Sequence, residues 1–365
     1  MRDMTSHLYG NPHSGSPSSQ LSTDTIEAVR ELILRHFNTD STHYDVIFTS
    51  GCTAALKLLA ESFPWSSSRK GPQKSITDSD VSVSVSSCNE EIGDRNDDSK
   101  QPGRDNGRTH QASLTGLSSE REGVLHTEMH AQCTEVTYLS DSSAIIGGDN
   151  SAENLSCKYD GSSVFCYLED NHTSVVGMRQ LVRQQGATLV CINSHNIQSV
   201  TTKHCYSTSA TTSSDGPNTL KNHLLHHLFI YPAQSNFSGQ KYPLGWCKDL
   251  PSGQAYVSGL EHLAGSWLVA LDAASYVCTS PLDLTVTPTH FVALSFYKMF
   301  GYPTGLGALL VRNDCTHLLH KAYYGGGTVL ATVSRTGFHR PRPLLHERYC
   351  NSASWDVQLC IMNVG

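Results

Sequence analysis

The chain has 365 residues, 38% of them hydrophobic, enough to bury the core of one large or two smaller domains. A formal charge of −7 and a pI near 6.2, with no Lys/Arg cluster interleaved with aromatics, exclude the basic footprint of a nucleic-acid binder. The N-terminus lacks an apolar signal core, no run of about 18 apolar residues could span a bilayer, and the 12 cysteines are scattered without close pairing, so no membrane partner and a cytoplasmic protein with reduced thiols are expected.

Polar residues Ser22 to Thr25, followed by Ile26, Val29, Ile33 and Phe37 at helical spacing, predict a helix from Ser22 onward whose apolar stripe packs on a sheet. Val46 to Phe48 reads as a short strand, followed by the tight turn Thr49-Ser50-Gly51-Cys52-Thr53 and a helix over Ala54 to Ala60. From 66 to 157 the composition shifts to Ser, Asp, Glu, Gly and Asn, with too few large apolar residues to offset the entropy of ordering. A disordered insertion, looping out between adjacent elements, is expected there, and a smaller polar loop over 207–222.

Apolar runs return at Val164–Leu168, Thr188–Ile192, Leu228–Tyr231, Trp267–Leu271 and Phe291–Leu294, with a helix over Val175–Gln185. Short continuous apolar strands separated by helices or loops predict an α/β fold with a mainly parallel sheet sandwiched by helices. Such sheets bind ligands at the carboxyl ends of their strands.

Several polar residues fall at those ends. The 49–53 turn at a helix N-terminus offers N–H groups, hydroxyls and the positive dipole end to a phosphate, although an ordinary capped turn explains it too. No Gly-Lys-Ser/Thr closes it, which disfavours an adenine nucleotide. His172 follows the 164–168 strand, either as a loop residue or as a flat ring covering an aromatic cofactor. Asn236, after the 228–231 strand, is a turn former or a hydrogen-bond partner for a ring hydroxyl. Asp272 follows Leu271, as a helix cap or as a carboxylate paired with a protonated pyridine nitrogen. Lys298, in Ser295-Phe-Tyr-Lys298-Met-Phe-Gly301, follows a buried strand, where desolvation favours a neutral amine able to form a Schiff base. His223, His226 and His227 form no zinc-like spacing with cysteines, and no resident metal is expected.

The passages Tyr9-Gly-Asn-Pro-His13, Phe48-Thr-Ser-Gly51-Cys-Thr53, His172-Thr-Ser-Val-Val-Gly177-Met-Arg179, Ser235-Asn236-Phe-Ser-Gly239, Leu271-Asp272-Ala-Ala274, Ser295-Phe-Tyr-Lys298 and Tyr323-Tyr-Gly-Gly-Gly327-Thr328 occur in the order of a known family. They resemble the class V family of pyridoxal-phosphate enzymes, in its molybdenum cofactor sulfurase branch. The resemblance implies a fold-type I transferase domain, discontinuous over 8–65 and 158–348, working as a homodimer. It also implies pyridoxal 5'-phosphate as cofactor and L-cysteine as substrate, giving L-alanine and passing sulfur to the molybdenum cofactor that activates xanthine dehydrogenase and aldehyde oxidase-type enzymes. By the same resemblance Lys298 holds the cofactor and moves protons, Asp272 pairs with its ring nitrogen and His172 stacks on the ring. Asn236 meets the ring hydroxyl or substrate, and Cys52, Thr53 and Ser295 serve the phosphate.

The tail 349–365 departs from the family pattern, and the family's molybdopterin-binding C-terminal domain and its persulfide cysteine are expected to lie beyond this chain. The sulfurase activity is therefore expected to be impaired here, with Cys350 and Cys360 as substitute thiols of unknown setting. A non-catalytic cofactor-binding dimerisation unit and another class V reaction remain open.

Overall fold

The first helix, α1 (Pro17–His36), starts at Pro17 rather than at Ser22. Ser16 caps it by accepting the Ser19 N–H, and Pro17, with its fixed φ and missing N–H, suits the first turn. Ser22 lies inside the helix, buried, and its hydroxyl donates to Gly10 O (2.6 Å) while accepting the Gly10 N–H (3.0 Å). The residues read as a cap are thus spent on anchoring the preceding segment. The computed structural model describes residues 9–12, 14–67, 137–138, 161–200, 225–301 and 305–349.

After α1 come β1 (Tyr44–Thr49), α2 (Cys52–Ser62), β2 (Thr137–Tyr138), β3 (Val164–Leu168), α3 (Thr173–Gln184), β4 (Thr188–Ile192) and β5 (Ile197–Ser199). They are followed by β6 (His226–Pro232), α4 (Trp246–Asp249), β7 (Ala255–Val257), β8 (Ser266–Asp272), β9 (Phe291–Ser295), α5 (Phe296–Phe300) and β10 (Gly307–Arg312). A hairpin of β11 (Val329–Thr332) and β12 (His339–Pro341) and the short helix α6 (Leu345–Tyr349) close the described chain.

Eight strands form one sheet in the order β1-β10-β9-β8-β6-β3-β4-β2. The five from β9 to β4 are parallel, β10 runs antiparallel between β9 and β1, and β2 adds an antiparallel edge. The carboxyl ends of β1, β3, β6, β8 and β9 therefore share one edge. The parallel α/β sheet expected from the apolar runs is present, and β10 is an addition not assigned from sequence.

Alternate residues explain why those runs are apolar throughout. Val164, Cys166, Leu168, Phe229, Tyr231, Val269 and Leu271 join one buried cluster, while Phe165, Tyr167, Leu228, Ile230, Leu268 and Ala270 join another. Successive side chains point to opposite faces, and both faces are covered. Leu34 and Phe37 from α1 and its C-cap enter the first cluster; Leu56 and Leu59 of α2 and Val175, Met178 and Val182 of α3 enter the second. Arg30 tolerates the apolar face of α1 because its Nε donates to Val46 O (3.1 Å), it pairs with Glu27, and it lies over the Phe48 ring.

Of the segment 66–157, only Ser66, Ser67 and Thr137–Tyr138 are described, and the last two form a strand pairing with Cys191 and Val190 where irregular chain was expected. The rest of that segment, the 207–222 loop and the tail from Cys350 lie outside the described residues. The flanks of the segment meet: Ser66 N donates to Ser163 Oγ (2.9 Å) and Ser163 N to Ser66 O (2.7 Å). Among the described residues no helix is long and apolar enough to cross a membrane.

Candidate active site

At the shared carboxyl edge, a cleft of about 160 Å³ is lined by residues that follow β1, β3, β6, β8 and β9. Lys298, His172, Asp272, Asn236, Cys52, Thr53 and Ser295 all line it. Residues far apart in the chain meet there because each lies at or just after a strand whose carboxyl end is on this edge.

Lys298 lies in α5, directly after β9, and is half-buried rather than sealed in the core. Its Nζ donates to Asn236 Oδ1 (2.8 Å) and lies 3.3 Å from Ser275 Oγ, which itself donates to Asn236 Oδ1 (3.0 Å). The β6, β8 and β9 exits are joined through one amide oxygen.

Asp272 is the last residue of β8 and is buried. Its Oδ1 accepts the Ala274 N–H (3.1 Å) and the Cys52 thiol (3.4 Å), so local capping and orientation of the carboxylate in the cleft coexist. Burial, reinforced by the charge of Asp272 and the hydrogen bond to it, pushes the Cys52 thiol well above its usual range. Cys52 is a thiol donor, and its sulfur turns towards Asp272, while its backbone begins α2.

His172 stands at the exposed rim and caps α3, its Nδ1 accepting the Ser174 N–H (3.2 Å). An accepting Nδ1 leaves the proton of the neutral ring on Nε2. Ser174 Oγ lies 2.9 Å from that Nδ1 and 2.7 Å from Thr53 Oγ1, so the first turns of α2 and α3 are linked.

The floor beneath is glycine-built. Gly51, the N-cap of α2, has φ +121°, a conformation that L side chains rarely adopt. Gly307 packs against it: a Cβ at Gly307 would meet Leu294 O and lie 2.6 Å from Gly51 Cα. The two backbones can approach only without a side chain between them.

Ser275, Ser174, Gln234 and Tyr297 also line the cleft and were not singled out from the sequence. Ser275 and Ser174 read as common turn residues, and their roles emerge only from partners in other loops. Gln234, which lines the cleft, carries a buried Oε1 without a hydrogen-bond partner. Asn171 donates from its amide to Leu168 O (2.8 Å) and Ile230 O (3.2 Å).

Comparison with known proteins gives the same direction. The Aminotransferase class-V family pattern matches residues 1–90 and 257–345. A protein called molybdenum cofactor sulfurase in Danio rerio is 37% identical over 347 residues, covering 95% of this chain and 30% of that protein. The Homo sapiens protein of that name is 36% identical over 95% of this chain and 28% of its own length, and the Arabidopsis thaliana protein 29% identical over 100% and 34%. The chain thus spans about a third of the length of the curated relatives it matches. Among solved structures, C-DES with glycine covalently linked to its PLP cofactor superposes with a TM-score of 0.50 at 13% identity, covering 100% of this chain and 66% of that one. That likeness shows the fold, a mixed α/β architecture with a mostly parallel central sheet. In pattern and sequence the chain resembles the aminotransferase class-V family, and its fold is the class V aminotransferase fold.

Proposed function

We propose that this chain is a pyridoxal 5'-phosphate-dependent sulfurtransferase domain that abstracts sulfur from L-cysteine, leaving L-alanine, for delivery to the molybdenum cofactor. The observation that carries the reading is the meeting of Lys298 Nζ with Asn236 and Ser275 in the cleft that also holds the buried Asp272. The donor set fits the cofactor: an amine for its aldehyde, a carboxylate for its ring nitrogen, and the open N–H groups of α2 behind Gly51 for its phosphate. The orphaned Gln234 Oε1 supplies a further buried acceptor.

Bound, this cofactor supplies an aldehyde that captures amino groups and a ring that takes up electrons. The protein's own residues do the rest. Lys298 would provide the amine that holds the cofactor and a group able to move protons at the substrate carbon. Asp272, oriented by Ala274 and Cys52, would pair with a protonated ring nitrogen. His172, oriented by its cap on α3, would cover one face of the ring. Thr53, Ser295 and the α2 N-terminus serve the phosphate end.

Sulfur transfer breaks the cysteine Cβ–S bond, places the sulfur on an acceptor thiolate as a persulfide and returns a proton to Cβ. Cys52 is poorly suited as that acceptor, because burial beside Asp272 keeps it protonated. An external thiol such as dithiothreitol therefore belongs in the assay. The cytoplasm suits this chemistry, and the described cysteines are free thiols. A homodimer is part of the proposal, supported by the exposed apolar side chains of the β11–β12 hairpin.

Added pyridoxal phosphate should produce a visible absorbance band, and borohydride should fix the cofactor to the peptide containing Lys298. L-Cysteine with dithiothreitol should then yield alanine. Lys298→Arg keeps a hydrogen-bond donor near Asn236 but should lose the fixed adduct and lower alanine formation by at least about 10³-fold. Retention of the adduct in that variant sinks the proposal.

A further inference from the structure

The loop bearing Asn236 has neither helix nor extended strand, only one antiparallel bridge between Gln234 and Lys241 at its base, yet its tip must hold an amide oxygen against Lys298. Three of its hydroxyls converge on one carboxylate across the sheet edge. Ser235 Oγ donates to Asp170 Oδ1 (2.8 Å), while Ser238 Oγ (3.0 Å) and Tyr242 Oη (2.8 Å) donate to Asp170 Oδ2. Ser235 is buried and relays the constraint, since its Oγ also accepts the N–H groups of Phe237 (3.2 Å) and Ser238 (3.1 Å), the two residues that directly follow Asn236.

Asp170 is itself fixed from below. It follows the end of β3 by two residues, and its neighbour Asn171 is pinned to both Leu168 O and Ile230 O. Two residues further on, His172 caps α3. One carboxylate thus stands between the loop of His172 and the loop of Asn236. A carboxylate suits the place because it only accepts: it can take three O–H donors at once, whereas an amide must turn its NH₂ towards one of them. Burial first, then the hydrogen bond to Asp170 and its charge, push the Tyr242 phenol up and keep it a donor.

We infer that Asp170 is a positioning residue of the candidate site, whose acceptance of the Ser235, Ser238 and Tyr242 hydroxyls locks the Asn236 loop to the His172 loop and so sets the partner of Lys298. The functional consequence rests on the reading of Lys298 as the cofactor-bearing lysine; the locking of the loops does not.

Hydrogen exchange read by mass spectrometry, on the full chain without added cofactor, tests the lock directly. Asp170→Ala should speed exchange at least about tenfold over 233–242 and over the first turn of α3, each charge-assisted bond being worth enough for that change. Ser238→Ala should speed it in 233–242 alone, and Asp170→Asn, which still accepts from two hydroxyls, should fall between. Unchanged exchange in 233–242, or an equal rise over β8 and β10 as well, overturns the inference. Should Asp170→Ala fail to fold, the Asp170→Asn and Ser238→Ala comparison decides in the same way.

A second arm measures the consequence. At limiting pyridoxal phosphate, the borohydride-fixed fraction at Lys298 should fall at least about fivefold in Asp170→Ala and recover partly in Asp170→Asn. Equal labelling of wild type and Asp170→Ala overturns the positioning role. A wild-type chain that takes no label removes the proposed function while the exchange arm still decides the lock.

Discussion

Gly307 makes the sharpest single-residue case, because what it lacks determines how β10 and the α2 turn can coexist. The positions a Cβ would reach are backbone on both sides, Leu294 O in β9 and the Cα of Gly51, so neither neighbour can swing away as a flexible side chain would. Gly307→Ala must therefore part β10 from β9 or displace the turn that opens α2. We expect a loss of about 2 kcal/mol or more in urea unfolding, together with weaker cofactor uptake, since the displaced turn carries Cys52 and Thr53. A loss below about 0.5 kcal/mol would mean that the two backbones relax freely, and the close approach would not shape the site. Cys52 makes the complementary point at the same scale. Its identity as a thiol rather than a reactive thiolate is decided by its neighbours, burial and Asp272, not by its place in the motif.

Among the elements, two buried histidines act where parallel strands start. Pairing of β3 with β6 begins at Phe165, and the Val164 N–H just before it is accepted by His227 Nδ1 (3.1 Å). Pairing of β8 with β9 begins at Ala270, and the Val269 N–H before it is accepted by His290 Nδ1 (3.1 Å). Each ring takes an N–H that the ladder has not yet reached. Burial, helped by the charge of Arg312, pushes His290 down to about 4. Its folded value is thus below its unfolded one, so the unfolded chain binds the extra proton as pH falls. The stability involved is complete above about 6.5 and is lost progressively towards pH 4, up to roughly 3 kcal/mol. Denaturation midpoints of wild type should drop between pH 7 and 5. His290→Gln, which can still accept the Val269 N–H, should flatten that dependence; an unchanged slope would refute the assignment. The five parallel strands were legible because burial on both faces leaves no polar alternation to confuse. The α1 start was not, since Ser22 serves Gly10 rather than a helix end, and β10 was hidden in the apolar passage after a glycine-rich turn. In the cleft, residues placed directly at strand ends or helix starts, such as Asp272 and His172, could be read in order. Ser174, Ser275 and Gln234 could not, because a serine or glutamine in a turn has no spacing that reveals a partner in another loop.

For the whole molecule, the two buried clusters are closed by helices and loops on each face of the sheet, whereas the hairpin of β11 and β12 carries apolar side chains that neither cluster absorbs. Leu330, Val333 and Phe338 are 53%, 46% and 58% exposed, and Tyr323 in the approach to the hairpin is 74% exposed. A two-stranded hairpin is marginal by itself, and several large apolar side chains exposed on one hairpin mark a candidate interaction surface. A second copy of the chain is the proposed occupant. Each such side chain, when buried, contributes about 1.5–3 kcal/mol, and in a symmetric pair every substitution counts twice. Sedimentation of the full chain should therefore show a dimer at micromolar concentration, with a melting temperature that rises with protein concentration. Leu330→Ser with Phe338→Ser should weaken the dimer at least about a hundredfold, because four apolar side chains lose their cover while neither residue belongs to the monomer's cores. Monomer sedimentation of the parent chain at all concentrations, or an unaltered dimer in the double variant, would exclude the hairpin as the contact.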